Sequence, residues 1–340
     1  MAESDSPVID LGRPTLKTIA AATGLAIATV SRALKDAPDI GEDTKRRVRE
    51  MAEQVGYRPN RAGVRLRTGK TNVIALVLST QEDVMNHTAR LIYSVSAALR
   101  GTPYHMIVMP YFPSEDPMAP IRYIVETGSA DGVIINQTTP DDPRVRYMQQ
   151  RGFPFATHGR TDMGIEHPYF DYDNEAFARV AVGALADRGR RRLVLIAPPL
   201  SQSYAHHMVH GFQDEAARRG VAAQVLEGVT SDSTATAIEM ATRVLFSSPG
   251  RPDAVVVGST TAAMATVAGA EDAGLRLGTE FDVAAKEAIR FLALFRRDII
   301  VLEENVSRAG TFLAQAVIAA IERPGKGPVM QALERPEGLG

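Results

Sequence analysis

From residue 72 to residue 286 short, nearly uninterrupted apolar runs alternate with longer stretches that carry one apolar face. The runs are NVIALVL (72–78), YHMIVMPY (104–111), DGVIIN (131–136), FPFAT (153–157), RLVLIA (192–197), DAVVVG (253–258) and FDVAAK (281–286). Between them, 87–100, 117–127, 174–188, 208–219, 235–246 and 261–273 show the 3.6-residue periodicity of amphipathic helices. Strands apolar on both faces and separated by helices belong in parallel, doubly wound α/β sheets, because only a sheet covered on both sides hides such strands from water. A stretch this long is large for one sheet, so two lobes with a cleft between them are expected over 72–323. The segment 324–340 is rich in proline and glycine, carries no leucine heptads and reads as a tail; a dimer is therefore favoured over a tetramer.

Ahead of residue 72 the pattern differs. Residues 13–57 read as three short helices with a core of their own. Thr15 can cap the first, whose inner face carries Leu16, Ile19 and Ala20, and Gly24 breaks it with the residue a tight turn tolerates. The second, 27–34, turns Val30, Ala33 and Leu34 inward. A third opens at Asp39-Ile40-Gly41-Glu42 and closes the core with Val48, Met51, Ala52 and Val55. Two short helices across a glycine turn, backed by a third, is the helix-turn-helix plan.

Charge supports a nucleic-acid partner for this front module. The whole chain has a formal net charge of −2, yet residues 1–70 hold 13 basic and 9 acidic side chains. Arg58, Arg61, Arg65, Arg67 and Lys70 follow one another without an acid, in a stretch (58–71) broken by proline and glycine that reads as a hinge. On the outer face of the second helix, Arg32 can bond the O6/N7 edge of guanine, while Ile27 and Ala28 can touch thymine methyls. Thr29, Ser31, Lys35 and Tyr57 are expected on phosphates, which set register rather than sequence.

The string TLKTIAAATGLAIATVSRAL, followed by a third helix ending GYRPNRAGVRLRTGKTN, resembles the headpiece of the LacI/GalR family of bacterial transcription regulators, and the resemblance extends through about residues 13–322. It implies a helix-turn-helix headpiece, a hinge helix, and a two-lobed, periplasmic-binding-protein-like effector domain that dimerises. It implies a sequence-specific repressor whose hold on palindromic operator DNA is set by a small molecule, a sugar, in the interlobe cleft. Thr15, Asn60 and Arg61 join the expected DNA contacts. Leu66 matches a leucine wedged into the minor groove, flanked by Arg65 and Arg67 on phosphates. The segments around Met118–Gly132 and Val283–Glu287 are similar to regulators of α-glucoside or related disaccharide use.

Two departures stand out. Ala26 replaces the usual serine or threonine cap of the recognition helix, a loss of about 1 kcal/mol. Gly63 replaces a hinge alanine, which costs that helix roughly 0.8–1.0 kcal/mol. Folding of the hinge should therefore depend on DNA.

Ligands of open α/β sheets bind at the carboxyl ends of the strands. There the sequence places Asn136, Gln137, His158, Arg160, Ser259, Lys286 and Glu287, with Asp173 between the lobes and His207 from the cluster His206, His207 and His210. Amides, carboxylates and cations of this kind bond adjacent hydroxyls of a sugar. The family's ligand-binding arginine would fall at Met208 and is missing, and its Asn-Asp pair is Ser259-Thr260.

Enzyme classes find little support. Thr68-Gly69-Lys70-Thr71 ends like a phosphate loop, but Gly63 and Gly69 are spaced one residue too far and no strand precedes them. No GxGxxG opens the first βα unit, and HExxH and GxSxG are absent, so neither a cofactor nor a catalytic metal is expected. The chain has no cysteine, hence neither disulfides nor thiolate metal sites. MAESDSPVIDLG lacks the basic-then-apolar layout of a secretory signal, and no run approaches the ~20 apolar residues of a membrane span. A cytoplasmic protein is expected. The competing readings are a transport sugar-binding protein, which would need export and no front module, and a sugar-handling enzyme with a helical appendage.

Overall fold

A computed structural model describes residues 14–57, 69–79, 85–112, 114–325 and 328–336. The expected hinge contacts Asn60, Arg61, Arg65 and Leu66 lie outside the described residues. The chain divides into two compact units, 1–71 and 72–340.

The first unit is three helices: α1 (Leu16–Thr23), α2 (Ile27–Ala33) and α3 (Glu42–Gln54). Thr15 stands at the N-cap of α1 and its N–H donates to Thr18 Oγ1 at 3.1 Å. Gly24 ends α1 in the left-handed region, φ 68°, which a side chain would resist. Ala26 caps α2 without a side-chain acceptor. Glu42 and Asp43 occupy the first turn of α3, where the helix dipole favours acids. Ile19, Ala20, Val30, Ala33, Val48 and Ala52 form the core, with Leu16, Leu34, Met51 and Val55 packed against it. Each inward position expected from the periodicity is in this cluster.

The second unit holds two all-parallel sheets. In the first the order is β11-β5-β4-β3-β1-β2, from β1 (Val73–Ser79), β2 (His105–Tyr111), β3 (Gly132–Ile135), β4 (Phe155–His158), β5 (Tyr169–Tyr172) and β11 (Gln331–Glu334). Successive residues of β1 feed opposite faces. Ile74, Leu76 and Leu78 pack with α4 (Met85–Ala98) and α12 (Val306–Glu322), whereas Ala75 and Val77 pack with α5 (Met118–Thr127) and α6 (Pro143–Gln150). Pro110 is tolerated within β2 because β2 is an edge strand.

The second sheet has the order β10-β9-β8-β6-β7, from β6 (Arg192–Ile196), β7 (Ala222–Val225), β8 (Ala254–Val257), β9 (Asp282–Glu287) and β10 (Ile300–Glu303). One face carries α7 (Asn174–Asp187) and α8 (Ser203–Arg219); the other carries α9 (Ala235–Ser247) and α10 (Thr260–Asp272), and the short α11 (Leu292–Phe295) follows β9. The backbones of α7 and α8 approach closely at Gly211: a Cβ there would lie 2.3 Å from the Glu175 carbonyl oxygen. Packing alone therefore requires glycine at 211.

The reading of 324–340 as a tail is corrected. Gln331–Glu334 pairs with β5 as an edge strand of the first sheet, and the Glu334 carboxylate takes the N–H of Asn305 at 3.1 Å. The proline-rich approach concealed a strand only four residues long. The chain therefore passes from the first lobe to the second after β5 and returns between β10 and α12.

Candidate functional site

Two surfaces carry the expected residues. On the first unit, α2 presents Ile27, a large apolar side chain 45% exposed, beside exposed Ala28, Arg32 and Lys35. Thr15 is exposed, and Thr29 and Ser31 are half-buried. Tyr57 is half-buried, its ring packs against the helical core, and burial pushes its hydroxyl pKa up. Arg32 is ion-paired with Asp39.

In the second unit a cleft lies between the lobes. The first lobe contributes His87, Asn136, Gln137, His158, Asp171 and Tyr172; the second contributes Asn174, Tyr204, Ser231, Asp232, Ser259, Thr260 and Lys286, with Glu304 at the return crossing. These positions follow strand ends or open helices, so the parallel topology alone gathers them at one rim. Lys286 is central. Its ammonium lies 2.9 Å from Glu304 Oε2, donates to Asn174 Oδ1 at 3.1 Å, and sits 5.3 and 5.4 Å from the ring centres of Tyr172 and Tyr204. The other Glu304 oxygen faces two imidazoles, His87 Nε2 at 3.4 Å and His158 Nε2 at 3.8 Å, whose rings stack 5.1 Å apart.

The electrostatics follow from burial. The His158 pKa falls to about 3, because desolvation penalises the imidazolium and His87 and Lys286 repel it more than Glu304 attracts it. Burial works to raise the Glu304 pKa, but Lys286 and the two histidines hold its carboxyl well below the usual range. Asp171 moves the other way, up to about 7, driven by desolvation and only partly offset by Arg160. Asn136 Oδ1 and Tyr172 Oη are buried with no hydrogen-bond partner among the described residues. Such atoms are costly unless a ligand or water satisfies them. His87, His158 and Glu304 each offer a ligand atom within 4.8 Å of the others, a set that could hold a divalent cation, although Lys286 already takes Glu304's second oxygen.

Asn136, Gln137, His158, Ser259 and Lys286 line the cleft as expected. Four expected residues do not. Asp173 caps α7, its Oδ1 accepting the Ala176 N–H at 2.9 Å. Glu287 is 1% exposed and its Oε1 accepts the N–H groups of Phe291 and Leu292, both at 2.6 Å, so it anchors a loop. Arg160 stands behind Asp171, its Nε 3.3 Å from Oδ2. His207 is half-buried beside Asp162, 4.0 Å away, and its pKa is lowered chiefly by desolvation. Besides Asp232, the acids that reach the cleft are Asp171, two residues before the expected one, and Glu304, just past the end of β10. Their signal was an acid at the end of an apolar run: YFD for Asp171, and IIVLEE for Glu304.

The family profile for "periplasmic binding proteins and sugar binding domain of LacI family" matches residues 71–323, and that for "bacterial regulatory proteins, lacI family" matches 15–60. The chain belongs to the LacI family. It is thus a DNA-binding transcriptional regulator built from a helix-turn-helix unit and a periplasmic-binding-like unit. It is 29% identical over 322 residues to the HTH-type transcriptional regulator AglR of Rhizobium meliloti (strain 1021), covering 92% of this chain and 89% of the relative. In fold it is similar to the lac repressor dimer bound to operator and the anti-inducer ONPF, with a TM-score of 0.81 at 17% identity, covering 94% of this chain and 97% of that one. It also resembles the regulator CelR in complex with cellobiose, with a TM-score of 0.67 at 22% identity, covering 96% and 98%. Among the described residues no helix of this LacI-family protein is long and apolar enough to cross a membrane.

Proposed function

We propose that this LacI-family regulator is a cytoplasmic homodimeric repressor whose hold on operator DNA is set by an unphosphorylated sugar in the interlobe cleft, and that it catalyses no reaction. The observation that carries the effector class is the pairing of Lys286. A sugar phosphate needs an available cation, whereas Lys286 is matched by Glu304 and Asn174, and Asp171 and Asp232 add acid to the same lining. A dianion would meet net repulsion there. A neutral glycoside would instead supply hydroxyl donors to Asn136 Oδ1 and the carboxylates, against the faces of Tyr172 and Tyr204.

Each front unit would read one half-site, Ile27, Ala28 and Arg32 at base edges and Thr15, Thr29, Ser31 and Lys35 at phosphates, with residues 58–71 acting as the hinge and Leu66 as the wedge. Because the cleft takes residues from both lobes, a ligand that prefers one lobe arrangement shifts the population toward it. Titration calorimetry with neutral disaccharides and their phosphorylated counterparts, paired with operator competition, tests the reading. Neutral glycosides are expected to bind and change operator affinity. Tight binding confined to phosphorylated sugars would refute the effector class.

A further inference from the structure

The turn after α2 carries two aspartates with different partners. Asp36 adopts the left-handed conformation, φ 60°, and its carboxylate is taken by Arg49 at 2.8 Å and Lys45 at 3.2 Å, both on α3. Three residues later, Asp39 pairs with Arg32, the side chain assigned above to base reading. The two side chains are 56% and 46% exposed. Asp36 accounts for the tie between turn and α3. Backbone bonds hold the rest: Ala37 N–H to the Arg32 carbonyl and Ile40 N–H to the Ala37 carbonyl, both 3.1 Å, with Ile40 packed on the core. Asp39 adds little to that scaffold, since an exposed pair is screened by water and salt.

A carboxylate beside a DNA-reading helix also works against affinity, because phosphates repel it. Its effect on Arg32 is specific, however. A carboxylate fixes the plane of a guanidinium and leaves outer N–H donors for a second planar partner. It also cancels the charge that would let Arg32 settle on any phosphate. We propose that Asp39 is a specificity-determining residue of the DNA surface: by holding and neutralising Arg32, it restricts that side chain to bidentate recognition of one base pair. This rests on the reading of Arg32 given above.

Asp39→Asn keeps the shape and removes the charge. In the full-length protein, affinities for operator, for operators substituted at each base pair and for random duplex are measured across a salt series, beside thermal melting. Arg32→Ala first identifies the base pair. Asp39→Asn is expected to leave the melting midpoint in place and to tighten binding to random duplex at low salt. The dependence of log K on log salt should steepen by roughly 0.9, as for one added phosphate contact. Discrimination at the Arg32 base pair should fall by about fivefold or more. If Arg32→Ala weakens all duplexes alike, the underlying reading of Arg32 fails. If Arg32→Ala maps to a base pair but Asp39→Asn leaves both discrimination there and the salt slope unchanged, Asp39 has no such role and the reading of Arg32 stands. Loss of discrimination at a different base pair would overturn the positioning role, since Asp39 would then read a base itself. A lowered melting midpoint with uniform loss of DNA binding would reduce the pair to a structural one.

Discussion

Removing Lys286 should expose how much of the cleft is held by one buried charge pair. The two side chains are 12% and 4% exposed and 2.9 Å apart, so neither charge is well hydrated. Breaking such a pair by deleting one partner typically costs about 3–5 kcal/mol, because the remaining charge stays buried. Lys286→Met should approach that range, moderated by the polar contact that His87 Nε2 keeps with Glu304 Oε1 at 3.4 Å. Glu304→Gln should cost less, since Asn174 and the rings of Tyr172 and Tyr204 still hold the ammonium. The double variant should be more stable than the two single losses would sum to, by about 1–3 kcal/mol, the coupling expected of contacting residues. With no tryptophan and nine tyrosines, urea unfolding of the full chain is followed by tyrosine fluorescence and far-ultraviolet circular dichroism. Single losses below about 1 kcal/mol that simply add would show a pair as weak as a hydrated surface contact, and the reasoning from burial would fail.

Other consequences concern pH, the corrected acids and the recognition helix. His158, lowered to about 3, stays neutral in the fold while unfolded chains take up a proton near 6.5, so its contribution to stability rises with pH between those values. Asp171, raised to about 7, retains its proton where unfolded chains have lost theirs, so its contribution falls from about pH 4 to 7. The two slopes oppose each other; Asp171→Asn should leave the first, and unfolding free energy measured at several pH values should then climb by about 1.4 kcal/mol per unit near pH 5, a flat profile contradicting the assignment. Asp173→Ala should cost about 1 kcal/mol through its lost cap and leave sugar affinity intact, whereas Asp171→Ala should lose the sugar in titration calorimetry; the reverse outcome would restore Asp173 to the site. Ala26→Ser should stabilise the front unit by about 0.5–2 kcal/mol, seen as a higher melting transition, because α2 begins without a side-chain acceptor.

The elements that were legible in the sequence are those whose burial is symmetrical. β1 and β8 are buried along nearly their whole length and read as continuous apolar runs, and the front unit is legible because its three helices close a core within a few dozen residues. Among the edge strands, β2 was legible as YHMIVMPY, but β7 and β11 were not. β7 reads AAQV and is mostly exposed, and β11 is four residues beyond a proline-glycine segment. The cleft was legible as a rim, because strand ends fix it, but not always as particular side chains. In Asp171-Tyr-Asp-Asn174 the point where β5 stops decides which acid faces the ligand and which caps the next helix. A shift of one residue at a strand end reverses the face a side chain occupies, and no local propensity sets that end to a single residue.

Glu287 and Glu304 make the same point through tertiary structure. Both are acids at the ends of neighbouring strands, β9 and β10, and both are almost completely buried. Glu287 gives its Oε1 to two backbone N–H groups of the segment that follows it, while Glu304 has its Oε2 on Lys286 and its Oε1 toward two first-lobe histidines. The difference lies in what the chain does next. After β9 it turns back within the second lobe and needs an acceptor to close the turn, whereas after β10 it crosses to the first lobe, and the carboxylate at the crossing meets groups from both. A residue in that position feels any change in the separation of the lobes, so a sugar that engages Glu304 and Lys286 together acts where the two arrangements differ in energy. Its leverage on the equilibrium is then limited by how differently it binds the two, rather than by how tightly it binds either.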